Sequence, residues 1–459
     1  MSAALPVRFA AVLEAAGLGA GRSRGSRLCC AFSGGVDSVV TLELLHRLQP
    51  QFGFQLEAAH VHHGLSANAG QWAQFCADFC AARDIVFHLC PVSVSRTGGK
   101  GVEAAARSAR YAALDALGAD WLVLGHHADD QAETVLLNLL RGAGVRGAAA
   151  MAAVLPPQSL PQPRGGRLRP LLGERRSVIE CWATAQGLSW VEDESNAGLV
   201  YRRNQLRWRV LPLLEESFPA AVSMLARAAD NFRTAEGLLG ELAQLDADRC
   251  ALLREEAPSV VLQRAAVLAL SDERLCNLLR WQAAQQGWQA ASRQRLFEAV
   301  RQLRVVNVGQ PLRVVVGEFA CCLYREQLWL EAAVLPPPVA QRWQGEASLS
   351  WGTGEVVFGP RTGGGIAAAA LAAAQRLELA PPRSGMRLRK WAQAAGVPAW
   401  WRSHLPVLWL DDQPAWLAGA GVRADFAAAA GEAGVLPCWR GGWPGRKNDD
   451  ANNGRIGNE

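Results

Sequence analysis

Six residues near the start of the chain, Ser33-Gly34-Gly35-Val36-Asp37-Ser38, restrict its fold more than any other stretch, because they close an apolar run, Arg27 to Phe32, and open an amphipathic one, Ser38 to Leu48. A strand that turns through two glycines into a helix gathers successive backbone N–H groups and a helix N-terminus at one point, which suits a phosphate group. Ser33 and Ser38 offer hydroxyl donors there, and Asp37 is placed to hold a Mg²⁺ that neutralises departing pyrophosphate. The plainer reading is a turn in which Asp37 and Ser38 merely cap the helix. That reading requires neither both glycines nor a serine on each side. The loop lacks the Gly-Lys-Ser/Thr ending of a Walker A loop and the third spaced glycine of a dinucleotide fingerprint.

From Arg27 to about Leu214, short apolar runs alternate with helical ones, the pattern of βαβ units around a parallel sheet. Strands are expected at Arg27 to Phe32, Leu56 to His60, Val86 to Leu89 and Trp121 to Gly125. Helices are expected at Ser38 to Leu48, Gln71 to Arg83, Glu103 to Leu117 and Gln131 to Leu140. The fold class is therefore α/β, a doubly wound parallel sheet, whose ligands bind beyond the carboxyl ends of the strands. At 459 residues the chain exceeds a single core. The expected order is an N-terminal extension over 1–26, the α/β domain over 27–214, a mainly helical domain over 215–335 with β-like runs at Leu312 to Val316 and Gln327 to Leu330, a linker over 336–376, a small α+β domain over 377–440 and a disordered tail over 441–459. Pro156 to Arg169, rich in Pro, Gly and Arg, reads as a surface loop.

A formal net charge of +5 permits a polyanionic partner without demonstrating one. Lys100, Lys390 and Lys447 are the only lysines among 47 basic residues; the arginine excess fits either bidentate phosphate binding or a genome-wide codon bias. Eleven cysteines without any Cys-x-x-Cys argue against a disulfide framework and a zinc ribbon, and with no signal peptide or membrane-spanning run they indicate a reducing cytoplasm and no membrane.

The glycine loop resembles the pyrophosphatase loop of the N-type ATP pyrophosphatases. Three further clusters make the resemblance more specific: His60-Val61-His62-His63-Gly64-Leu65, Glu103 to Tyr111 with Arg107, and Gly125-His126-His127-Ala128-Asp129-Asp130-Gln131-Ala132-Glu133-Thr134. With them the chain resembles the tRNA(Ile)-lysidine synthetase family. Arg141-Gly142-Ala143-Gly144, Arg169-Pro170-Leu171-Leu172, Glu192 to Asn196, and Tyr201-Arg202-Arg203-Asn204 with Arg207 extend the match, and Arg383 to Lys390 with Gly396-Val397-Pro398 and Leu405 to Leu408 resume it. Gly125 and Ala143 depart from the family pattern, and Pro156 to Gly166 looks inserted.

The resemblance implies an ATP-dependent ligase in which O2 of a cytidine, in tRNA(Ile) with a CAU anticodon, is adenylated and L-lysine then attacks C2, releasing AMP. It admits a homodimer. It implies that Ser33, Gly34, Gly35, Val36, Asp37, Ser38, His60 and His126 contact ATP and that Asp37 holds Mg²⁺. Asp129, Asp130 and Glu133 would hold lysine, with Asp130 and Glu133 on one helix face. Asp37, Arg107, Asp130 and Glu133 would carry the chemistry, and Arg141, Arg169, Arg202, Arg203, Arg207, Arg387, Arg389 and Lys390 would face tRNA. Plainer readings stand beside these: acids favoured at a helix start, an ordinary ion pair between Glu103 and Arg107, a His62/His63/His126/His127 metal site with Asp129, and a solvated arginine surface. Trp400 and Trp401 fit either base stacking or a core. Rival functions are a tRNA thiolase, a free-standing amide synthetase and a non-catalytic tRNA-binding protein.

Overall fold

The computed structural model describes residues 4–19, 25–64, 68–93, 102–157, 165–192, 202–251, 261–289, 291–352, 354–383 and 386–440. The chain divides into two compact units, 1–238 and 239–459.

The first unit opens with α1 (Ala4–Ala15), β1 (Arg27–Ala31), α2 (Val36–Phe52), β2 (Gln55–His62), α3 (Ala69–Ala81), β3 (Val86–Pro91), α4 (Val102–Asp115) and β4 (Trp121–Val123). It continues through α5 (Ala128–Leu140), α6 (Val145–Ala148), β5 (Val154–Leu155), β6 (Gly166–Leu168), α7 (Arg176–Ala185), α8 (Arg202–Gln205), a π-helical turn at Leu206–Val210, α9 (Leu211–Ser217) and α10 (Ala221–Cys250), within which the division falls. The sheet order is β3-β2-β1-β4-β6-β5, parallel except that β5 runs against β6. Side chains alternate across such a sheet. Leu28 and Cys30 of β1 enter one core with α1, α2, α3 and α7, whereas Cys29 enters a second with Leu114 of α4. Both faces are covered, as a doubly wound sheet requires.

The expected strands and helices stand where the periodicity placed them, and the fold class is α/β with a parallel sheet. The stretch read as an N-terminal extension is different: Leu5, Phe9 and Leu13, spaced by four, are fully buried in the first core. Arg8 also pairs with Glu174. The first helix thus belongs to the α/β unit.

In the second unit, helices Asp272–Gln285 and Arg293–Val305 pack on an antiparallel sheet ordered Leu262–Gln263, Gln327–Ala332, Phe319–Tyr324, Leu312–Val316. Each helix has a serine N-cap, Ser271 accepting from Arg274 N and Ser292 from Arg295 N. The stretch read as a linker carries strands Gln341–Arg342, Ser348–Trp351, Gly354–Thr362 and Ile366–Ala367. Gly354–Thr362 pairs along its length with Ala433–Arg440, so strands distant in sequence complete one another. The boundaries read from composition differ accordingly from the division at 238/239. The tail 441–459 lies outside the described residues.

Trp400 and Trp401 lie in this core. Trp401 is buried and Trp400 packs on Tyr324 and Trp329, which removes them from a stacking surface. Buried Glu331 accepts from Arg313 Nε at 2.8 Å, Trp329 Nε1 at 3.1 Å and Trp401 Nε1 at 2.9 Å. A buried carboxylate persists only when paired in this way. None of the eleven cysteines forms a disulfide, and no helix among the described residues is long and apolar enough to cross a membrane.

Because Phe9 fills the first core, Phe9→Ala is expected to lower the unfolding free energy by about 3–5 kcal/mol, read from urea denaturation. A change below about 1 kcal/mol would return the first helix to the status of an appendage.

Candidate functional site

β1 and β4 are hydrogen-bonded neighbours, yet their following helices belong to different crossovers, so a crevice opens between their carboxyl ends. β1 feeds the glycine loop and β4 feeds Gly125 to Asp130. Gly34 has φ +88°, and a Cβ there would meet Val191 Cγ2 at 2.8 Å. Val191 also donates its N–H to Gly34 O at 3.0 Å. Glycine is thus required by both backbone conformation and packing. Gly35 caps α2 without a side chain in the way. Ser38 Oγ takes the Gly34 N–H at 3.1 Å and stands 3.2 Å from Ser33 Oγ. Gly125, which departs from the family pattern, lies so close to α2 that a Cβ would be 3.0 Å from Asp37 O. It therefore draws β4 against the first turn of α2.

Asp37 stands in that first turn. Burial pushes its carboxyl up, against the opposing pull of His127 and Arg176, and its Oδ1 is buried without a hydrogen-bond partner. His127, the N-cap of α5, is the neighbour: its Nε2 is 3.8 Å from Asp37 Oδ1 and 3.5 Å from Asp130 Oδ2, and its Nδ1 is 3.4 Å from Asp129 Oδ2. Burial works against a charged imidazole, but the three carboxylates outweigh it and hold His127 above the usual histidine value. His126 goes the other way, driven by burial to about 3, and is neutral at physiological pH.

Asp130 and Glu133 lie on one face of α5, as their spacing requires, and are partnered within the chain. Glu133, fully buried, accepts from Arg203 Nε at 2.7 Å and Arg207 Nε at 2.5 Å. Asp130 Oδ1 accepts from Arg207 Nη2 at 2.8 Å and Arg203 Nη2 at 3.2 Å. Arg203 and Arg207, expected on a tRNA-facing surface, instead neutralise the acid pair. Asp129 is also engaged: its oxygens accept from Arg175 Nε at 3.2 Å and from the Arg176 N–H at the start of α7 at 2.9 Å. Sequence reasoning overlooked Arg175 and Arg176, although only Gly173 and Glu174 separate them from the Arg169-Pro170-Leu171-Leu172 match.

The remaining candidates separate. His60 is buried behind the loop, its Nδ1 3.0 Å from Phe32 O and 3.4 Å from Cys76 Sγ, which ties β2 to the end of β1. Arg107 donates to Tyr111 Oη at 3.3 Å; the side chain of Glu103 lies outside the described residues. Arg169 is buried, donating to Ala152 O at 2.8 Å. Arg141 and Arg202 are exposed in the first unit, and Arg389 and Lys390 in the second. The side chain of Arg387, like residues 193–201, lies outside the described residues. No group of three or more His, Cys, Asp or Glu among the described residues is arranged to hold a metal.

A single buried, unpartnered carboxylate oxygen does suit a Mg²⁺ shared with substrate phosphates, because that ion keeps most of its ligands from water and phosphate.

Burial raises the Asp129 carboxyl, but His127, the Arg176 N–H and Arg175 outweigh it and hold it at about 2, below its ordinary 3.8. The folded value being depressed, its stabilisation is present above pH 3.8 and disappears as pH falls toward 2. Asp129→Asn is therefore expected to lose about 2 kcal/mol of unfolding free energy at pH 6, with the gap to wild type closing between pH 4 and 2 in urea titrations.

Three family models match the chain: the PP-loop domain over residues 8–214, the TilS substrate binding domain over 262–329 and the TilS substrate C-terminal domain over 369–439. A tRNA(Ile)-lysidine synthase of Azoarcus sp. (strain BH72) is 49% identical over 451 residues, covering 96% of this chain and 96% of its own. One from Aromatoleum aromaticum is 51% identical over 430 residues, covering 90% and 97%. One from Nitrosomonas europaea is 36% identical, covering 90% and 92%.

Proposed function

The chain belongs to the tRNA(Ile)-lysidine synthase family, and on that premise we propose how its residues divide the work. The activity is that of a ligase forming a C–N bond on tRNA, with ATP converted to AMP and diphosphate. One observation carries the assignment of the site: Nε2 of a single imidazole, His127, stands 3.8 Å from Asp37 Oδ1 behind the phosphate loop and 3.5 Å from Asp130 Oδ2 of the acid pair. A nucleotide held at the loop and an amine held by the acids would share one cavity.

In the first step cytidine O2 bonds to the α-phosphorus of ATP and the bond to the β-phosphate oxygen breaks. The N–H groups of the first turn of α2 bind the phosphates, since a helix start leaves those donors without intrahelical partners. Asp37 would hold a Mg²⁺, which supplies charge neutralisation for the departing diphosphate. His127, whose charged form three carboxylates favour against burial, would add positive charge beside the same phosphates when protonated. In the second step an amine of lysine bonds to C2, the bond from C2 to the AMP oxygen breaks, and the amine sheds a proton as lysidine forms. Asp130 and Glu133 bind the lysine. Asp129, already occupied, positions His127 and α7. Exposed Arg141, Arg202, Arg389 and Lys390 are the proposed phosphate grips for the CAU-anticodon tRNA, and the working compartment is the cytoplasm.

The thiolase reading loses ground on the thiols. Cys76 and Cys80 are buried, which drives both up to about 12 and leaves them protonated and unreactive.

With ATP, Mg²⁺, radiolabelled lysine and a CAU-anticodon isoleucine tRNA, the protein is expected to transfer label to tRNA with equimolar AMP. Sulfur dependence, or no label, overturns the reading. Asp37→Ala is expected to slow pyrophosphate release at least about 100-fold, the scale of one electrostatic catalytic group; release at the wild-type rate would remove Asp37 from the first step.

A further inference from the structure

Arg8 stands on α1, and its guanidinium grips Glu174 fork to fork: Nε meets Oε1, and Nη2 meets Oε2 at 2.7 Å. The two side chains differ in setting, Arg8 being 51% exposed and Glu174 only 9%. Glu174 lies in the turn that leads into α7, and this turn holds the start of α5 by three hydrogen bonds. Glu174 O accepts from the Ala128 N–H at 2.8 Å, while Arg175 Nε and the Arg176 N–H meet the two oxygens of Asp129. Asp129 Oδ2 in turn stands 3.4 Å from His127 Nδ1. Resting on the functional reading above, we propose that Arg8 is a positioning residue for the adenylation step: through Glu174 it fixes the turn that sets the start of α5, and with it His127, against the phosphate loop.

Burial is what gives this pair its reach. An ion pair between two exposed groups is worth little, because either partner can turn to water. Glu174 has no such freedom where it stands, and a buried carboxylate stripped of its partner is costly. Without Arg8 the carboxylate reaches water only by carrying the turn with it, and the turn cannot shift without stretching its bonds to Ala128 and Asp129. The other end of the pair is anchored: Leu5, Phe9 and Leu13 are fully buried in the first core, so the backbone that carries the Arg8 guanidinium is fixed. α1 thus acts as a strut from the first core to the α7 turn. A guanidinium holds both carboxylate oxygens at once, whereas an ammonium supplies a single point charge. The N–H groups that would receive the phosphates belong to α2 rather than to α5 or this turn. Loss of Arg8 therefore separates two quantities, leaving nucleotide affinity in place while the alignment of α5 with the nucleotide degrades.

The test uses the whole protein with Mg²⁺ and a CAU-anticodon isoleucine tRNA, following pyrophosphate release in a single turnover as ATP is varied. Arg8→Gln is expected to lower the maximal rate at least about tenfold and to leave the half-saturating ATP concentration within about twofold, since a misplacement of about 1 Å costs about 100-fold in rate. Adding Glu174→Gln removes the stranded charge, and is expected to restore the rate of Arg8→Gln at least about threefold, a suppression that marks coupled residues. Arg8→Lys, which keeps the charge and loses the fork, is expected to fall between Arg8→Gln and wild type. An Arg8→Gln rate within about twofold of wild type, a loss carried by ATP affinity instead, or a double variant slower than Arg8→Gln overturns the proposal. If Arg8→Gln does not fold, Arg8→Lys decides, and a wild-type rate there overturns it. Failure of wild type to release pyrophosphate with this tRNA would instead sink the functional reading, and so the two failures are distinct.

Discussion

The pairing of β1 with β4 supports everything that happens in the first unit. Leu28, Cys29 and Cys30 lie in register with Trp121, Leu122 and Val123, two strands whose crossovers depart in opposite directions along the sheet. Their carboxyl ends therefore diverge into the glycine loop and the His126–Asp130 turn, and three helix N-termini, those of α2, α5 and α7, converge on the crevice between. Their dipoles favour anions there, which fits the concentration of carboxylates. The absence of a side chain at Gly125 keeps the two turns in contact.

Charge balance then shapes the site. Against Asp37, Asp129, Asp130 and Glu133 the chain sets His127, Arg175, Arg203 and Arg207. The balance is uneven by position. Asp129 and Asp130 are held below their usual range, whereas Asp37 is pushed up and keeps an oxygen without a donor. The carboxylate least served by the protein is the one beside the phosphate loop, where an added cation would be best received.

The second unit is built on different physics, with antiparallel sheets and an aromatic core in place of a parallel sheet covered by helices. Its buried Glu331 draws together an arginine and two indoles from separate strands and turns.

The sequence by itself determined the features that repeat locally. The alternation of strand and helix, the glycine loop between them, and the shared face of Asp130 and Glu133 all follow from periodicities of two and 3.6 and from what glycine alone permits. The same logic, applied to Leu5, Phe9 and Leu13, would have recovered α1. Only the tertiary structure decided who pairs with whom. Arg203 and Arg207 meet acids 70 to 77 residues away, Trp401 meets a glutamate 70 residues away, and the stretch read as a linker becomes sheet because Gly354–Thr362 finds Ala433–Arg440. The physical reason is that a charge or a strand edge is satisfied through space, and neither leaves a local signal of the partner that will satisfy it.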